Sequence, residues 1–258
     1  SQDGLWTYWR KDGARGNEGH YKMDVKQGEW TWWYASGAVW KKGSYTDGLR
    51  QGTWVTYFEN GKKEHEGQFL DDKEHGFWQQ WYEDGKLSMT GYFKNGSMDS
   101  LWQSWFDSGI KKYEIEYKNN LMNGRAYYWY EDGKKQFEKN MLEGEEEGVY
   151  KTYYPDESVN VSGMYKKGKK DGEWKYYNEH AILFKEEKYA DGFPVGEWIE
   201  YFDQGPRQTI INYQKGNRNG DYKEFDITGP LIYHAIYKDN KIVKVVKDLR
   251  NNQVKDIK

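Results

Sequence analysis

Five histidines, His20, His65, His75, His180 and His234, are the first candidates for metal or acid–base chemistry. A zinc or catalytic site needs its ligands a few residues apart on one element, or at matched places on neighbouring elements. These histidines share neither spacing nor phase, and they read as scattered surface residues. The run Glu143, Glu145, Glu146 and Glu147 has carboxylates enough for a hard cation or an acid/base pair. Set around Gly144 and ending at Gly148, it reads as a solvated turn. Lys166, Lys167, Lys169 and Lys170 form a dense basic cluster of the kind that contacts phosphates or lipid headgroups, the plain alternative being another solvated turn. No glycine-rich stretch opens a helix as a phosphate loop must. The absence of cysteine excludes disulfides, thiolate metal sites and thiol nucleophiles. No catalytic residue, metal or cofactor is expected, and no enzyme.

The rings remain. Phe, Trp and Tyr make up 19% of the chain, and files of them can stack on sugars, dock a protein or form a core. Charged residues make up 31%, and the mean hydropathy of -1.18 alone would indicate disorder, but disordered chains are poor in rings. A formal net charge of -3 gives no general attraction for nucleic acid. No apolar run approaches the roughly 18 residues that span a bilayer.

What must position the rings is a repeat. Gly4, Gly28, Gly52, Gly76, Ser100, Gly124, Gly148, Gly172, Gly196 and Gly220 start ten copies at a constant step of 24. Counting from each start, position +2 holds Trp6, Trp30, Trp54, Trp78, Trp102, Ala126, Tyr150, Trp174, Trp198 and Tyr222. Position +5 is aromatic throughout: Trp9, Trp33, Tyr57, Trp81, Trp105, Trp129, Tyr153, Tyr177, Tyr201 and Phe225. Position +17 runs Tyr21, Tyr45, Phe69, Phe93, Tyr117, Met141 and then Tyr to the tenth copy. Turn residues separate these columns, with Gly at +9 except for Glu157 and Ala181, and Gly, Asp or Asn at +20. The intervening segments are short and ring-rich, which suits strands.

The spacing predicts an all-β fold, an elongated single-sheet antiparallel β-meander of about twenty strands. The array covers residues 4–240, with 241–258 a lysine-bearing capping strand and polar tail. One copy cannot bury enough to fold alone, so each ring is expected to stack on its counterpart one copy along. Glycine at +15 (Gly19, Gly43, Gly67, Gly91, Gly163) would leave space for a neighbouring ring. Positions +2 and +5 point to opposite faces. Trp6, Trp30, Trp54, Trp78, Trp102, Trp174 and Trp198 are therefore the expected core. Trp9, Trp32, Trp33, Tyr57, Trp81, Trp105 and Trp129 are the expected binding face, with the segment Gly4–Arg10 as its contact edge.

These residues resemble the MORN repeat superfamily, and more closely its bacterial variant of the MORN_2 or YwqK type. That pattern runs Gly-x-Trp, two aromatics, Asn-Gly, Lys-rich residues, Gly-x-Tyr and a closing Gly. The clearest copy is Gly52 to Gly67 followed by Phe69; Ser100, Ala126, Glu157 and Ala181 depart from it. The resemblance implies an elongated β-meander used for protein or membrane association. The expected function is a non-catalytic scaffold for protein–protein association in a bacterial envelope or secretion-related assembly. The alternatives are a carbohydrate-binding ribbon and an antitoxin-like cytoplasmic protein. Protein partners are expected; nucleic acid and a homo-oligomer are not, and nothing specific supports lipid or glycan. The chain starts at Ser1 rather than Met and enters the first copy by Gly4, which suggests a removed export signal and a place in the periplasm or at the outer-membrane periphery of a Gram-negative cell.

Overall fold

The computed structural model describes residues 1–203 and 205–250, and it is built of β-strands. The chain divides into two compact units, 1–133 and 134–258, parting at the turn glycine of the sixth copy. Each unit is an antiparallel meander of eleven strands, as the sequence predicts. The total of 22 exceeds the expected twenty for two reasons. Pro194 has no N–H to give, and it splits one long strand into Phe193–Pro194 and Gly196–Tyr201. The strand Lys241–Asp248 adds one more.

Two turn types alternate. Positions +19 and +20 both lie at positive φ, as in Asp47 (49°) and Gly48 (81°), which is the type I′ geometry that matches strand twist. The turn at +9 is wider. In the third copy Gly61 N–H donates to the Phe58 carbonyl and Phe58 N–H to the Lys62 carbonyl, both at 2.9 Å. Glu157 (φ 68°) and Ala181 (φ 58°) adopt the same left-handed conformation there without glycine, so the turn survives both departures.

Each copy carries two bulges at fixed places. On the return strand the residue at +12 is left unpaired: Trp32 faces Lys41 and Trp33 faces Val39, with Trp40 between them. At the copy start, Gly19 faces Trp30 while His20 faces Gln27, which leaves Gly28 and Glu29 as the bulge. The positive φ of that bulge explains the start column; Ser100 reaches it at 59°. Neighbouring copies are tied at both turn ends. The +20 amide donates to the +22 carbonyl one copy earlier, as Gly48 to Lys26 (3.0 Å) and Gly192 to Lys170 (2.9 Å). At the other end the hydroxyls of Tyr34, Tyr82 and Tyr154 donate to the carbonyls of Tyr57, Trp105 and Tyr177.

The core is a single layer of rings on one face. The indoles of Trp30, Trp54, Trp78, Trp102 and Trp174 each lie flat on the +15 glycine of the preceding copy. A β-carbon on Gly43 would stand 2.2 Å from the Trp54 ring, and one on Gly91 would stand 2.1 Å from Trp102. In unit 1 the +2 rings do not stack on one another as expected, although in unit 2 Tyr150 lies 5.6 Å from Trp174 at 33°. Those of unit 1 alternate with the +17 rings, edge to face, from Trp6 through Tyr21, Trp30, Tyr45, Trp54, Phe69, Trp78, Phe93 and Trp102 to Tyr117. Centroid separations of 5.0–6.4 Å favour that arrangement, because the positive edge of one ring meets the negative face of the next. Where +15 is not glycine the next +2 residue is Ala126, Tyr150 or Tyr222, except that Trp198 follows Glu187. Ile115 faces Ala126, and both are buried.

The strand Lys241–Asp248 pairs with Leu231–Lys238 through two register shifts. Its lysines at 241, 244 and 247 are interspersed with exposed Ile242, Val243, Val245 and Val246. Residues 251–258, the expected tail, lie outside the described residues.

Candidate binding surfaces

The expected binding residues divide between the two faces. Trp32 sits 5.8 Å from Trp30 and 5.6 Å from Trp54, ring to ring, so it belongs with the core layer. Strand alternation places Trp9, Trp33, Tyr57, Trp81, Trp105 and Trp129 on the opposite face. Of these Trp9 is 57% exposed and the rest are half-buried. Cations from the preceding copy account for much of that cover: Arg15 lies 4.9 Å above the Trp33 ring, Lys63 5.6 Å from Trp81, and Lys111 5.6 Å from Trp129. Each cation also meets a carboxylate three residues on. Arg15 pairs with Glu18 at 3.9 Å, Lys63 with Glu66, and Lys111 with Glu114 at 2.6 Å. The Lys111 hydrogen bond holds the Glu114 carboxyl below its ordinary range. This face is a ladder of ring, cation and carboxylate. The sequence carried the signal as cation-x-x-Glu at +11 and +14, in Arg15/Glu18, Lys63/Glu66, Lys111/Glu114 and Lys135/Glu138.

In the core column, Trp30, Trp54, Trp102 and Trp174 are buried, while Trp78 and Trp198 are half-buried. Trp6 corrects the expectation: it is 43% exposed, because Gly4–Trp9 pairs only with Arg15–Lys22 among the described residues and no +15 glycine seats its indole. Leu5, Tyr8 and Trp9 on the same strand are exposed as well. Trp198 follows Glu187, not glycine, and is tilted at 55° and 46° to Tyr189 and Tyr213.

The polar clusters resolve into packing. His234 Nε2 lies 2.8 Å from Asp221, and the described residues contain no group of three His, Asp or Glu placed to hold a metal ion. Glu146 pairs with Lys139 at 3.2 Å, and Glu147 accepts the Lys167 amide at 2.7 Å. Lys170 leaves the basic cluster and turns inward, 4.2 Å from the Trp174 ring and 2.8 Å from the Tyr176 hydroxyl. Sequence reasoning missed the network around Glu187. That carboxylate is 5% exposed, accepts from Tyr176 (2.6 Å) and Tyr189 (2.9 Å), and pairs with Lys185 at 2.6 Å. Burial pushes its pKa up, but the bonds from Lys185 and the two hydroxyls outweigh burial and hold it below the ordinary carboxylate value.

Unit 1 also has two adjoining depressions on its ring face. One, of about 410 Å³, is lined by Lys41, Arg50, Trp54 and Thr56; the other, of about 350 Å³, by Gln80, Met89, Met98 and Trp102. They share His65 and Trp78.

No curated protein matches the chain. Two solved structures align with 93% of it: a complex of TcdB2 with TccC3 at 11% identity, and a Photorhabdus luminescens Tc holotoxin pore at 12%. Both have a TM-score of 0.21, and the alignment spans 15% of each of those chains. The family described as the MORN repeat variant matches residues 26–47, 50–71, 74–95 and 98–119. Those four matches follow the 24-residue phase of the strands, turns and bulges, so residues 26–119 are similar to the MORN repeat variant.

Proposed function

We propose that the chain is a non-catalytic scaffold that holds a protein partner within an exported bacterial assembly, in the periplasm or at the outer-membrane periphery. MORN repeats are generally protein- or membrane-interaction repeats and form a non-catalytic family. One observation carries the choice of a partner. Leu5, Trp6, Tyr8 and Trp9 crowd exposed apolar surface onto both faces of one strand, at 43–60% exposure. Such a concentration of exposed apolar side chains on one strand is a protein-contact feature. A sugar platform along the +5 column is less well supported, since cations already occupy several of its ring faces.

Affinity purification of the tagged chain from its own cells, with compartment fractionation and mass spectrometry, tests this. A co-eluting protein near equal amounts in the envelope fraction is expected, lost in a Tyr8→Ala, Trp9→Ala variant that keeps its melting curve. A solitary chain, or a partner indifferent to those substitutions, would overturn the reading.

A further inference from the structure

Position +4 stands beside the +2 indole on the ring face. In unit 1 it is bulky in Trp32 and Tyr128, but it is Thr56, Gln80 and Ser104 in the three copies between. Trp32 covers both Trp30 and Trp54, and Tyr128 packs 6.0 Å from Tyr113. Ser104 is itself buried, but over Thr56 and Gln80 such cover is missing. The two depressions lie there, one copy apart.

Their chemistry differs. The first is rimmed by Lys41 and Arg50, with Lys26 one copy away. Lys41 Nζ stands 4.7 Å from the Trp32 ring and 4.8 Å from Trp40; Lys26 Nζ stands 4.5 Å from Trp30 and 5.0 Å from Tyr45. Among the described residues no carboxylate pairs with either lysine, while Arg50 has Asp72 at 2.9 Å. Burial, followed by the charges of Arg50 and Lys26, lowers the Lys41 pKa, as expected of a cation lacking a counter-charge. The second depression exposes mainly apolar surface of Trp78, Met89, Phe93, Met98 and Trp102, with His65, Glu74, Gln79, Gln80 and Thr90 completing its lining. Its flexible methionines adapt to an apolar side chain.

We propose that this trough binds a short segment of a protein partner in which an acidic residue and a Leu, Met or Phe lie about three residues apart. The carboxylate sits between Lys41 and Arg50, and the apolar side chain lies over Trp78 and Trp102. One copy is two strands at ~4.8 Å, so the centres are ~10 Å apart, the span of three extended residues at ~3.3 Å. The inference rests on the scaffold reading and names what the partner presents.

The probes are fluorescein-labelled dodecapeptides in a Gly/Ser background, followed by anisotropy. The first carries two adjacent aspartates and, three residues on, Leu-Phe; the second has lysines for the aspartates; the third has serines for Leu-Phe. The first binds, and the other two bind at least tenfold more weakly. Thr56→Trp and Gln80→Tyr, which supply the bulk that the second and sixth copies carry, and Lys41→Glu each weaken the first peptide tenfold or more without moving the thermal melt. Absence of binding at about 1 mM, equal binding of the three peptides, or indifference to all three substitutions overturns the trough. A stoichiometric partner that stays bound to the three variants overturns the trough and leaves the scaffold standing; no partner for the unaltered chain overturns the scaffold itself.

Discussion

Gly91 and Trp102 form the seat that recurs through the array, and Ile115 and Ala126 form its size-inverted counterpart one copy later. Substituting Gly91→Ile drives a branched side chain into the indole, because even its β-carbon would stand 2.1 Å from the ring. The ring must lift from the sheet, at a cost of about 3 kcal/mol. Trp102→Ala removes an indole that is 4% exposed and leaves a void beside glycine, at a cost of about 3–5 kcal/mol. The double variant has neither clash nor void, since it reproduces a pair that packs with Ile115 3% and Ala126 0% exposed. The two costs are therefore expected to fall short of additivity by about 2–3 kcal/mol. In thermal melts followed by far-UV circular dichroism, with about 4 °C lost per kcal/mol for a unit of this size, the double variant melts well above the sum of the singles. Costs that add to within about 0.5 kcal/mol would refute the claim that glycine and indole are one packing unit.

Ala181→Gly should raise the melting temperature of unit 2, with about 1 kcal/mol gained by relieving a non-glycine residue at φ 58°; a lower melting temperature would mean the turn is not left-handed. Glu187→Ala strands Lys185 and two part-buried hydroxyls, and should cost about 2–3 kcal/mol in urea unfolding. Since the Glu187 pKa is depressed on folding, its stabilisation is present above the unfolded value of about 4.3 and is lost as pH falls through the folded one. The unaltered protein should thus lose melting temperature on acidification more steeply than Glu187→Gln, and parallel curves would refute this. Lys26 lies over Trp30 and Tyr45 with no carboxylate partner, so Lys26→Met should stay within about 0.5 kcal/mol while Lys26→Asp loses more than 1 kcal/mol; equal losses would show that the charge, and not the stem, provides the cover.

The strands, both turns and the start glycines were legible because each is dictated locally. A residue at positive φ leaves Gly, Asp or Asn in sequence, and a strand leaves rings between turns. The two faces were harder to read. Trp32 looks like one more ring beside Trp33, and only alternation about the +2 column shows that the two point apart. The bulge at +12 leaves no residue signature, being Gly16, Trp40, Glu64 and Ser88 in successive copies, so the cross-strand neighbours of +5 could not be derived. The Lys170, Tyr176, Glu187 and Tyr189 network was out of reach for another reason. Tyr189 belongs to the recurrent +17 column, but Glu187 stands where most copies carry glycine or an apolar residue and Tyr176 and Lys170 lie in variable columns, so the constellation exists only once the register is known.

A single-layer sheet has no second layer to close its core, and that shapes everything above the rings. Apolar side chains long enough to roof the indoles would make the face sticky, so long cations lie across the rings with their charges at the rim: Arg50 at 3.9 Å from Phe69, Lys170 at 4.2 Å from Trp174. The roof is laid copy by copy, and no residue of one copy can repair a gap in the next. A short +4 residue such as Thr56 or Gln80 therefore opens the core itself, already apolar and already edged with cations, without disturbing the hydrogen-bonded frame beneath. Periodicity supplies the stability, and the few positions that depart from it are where such a fold acquires a surface unlike its neighbours.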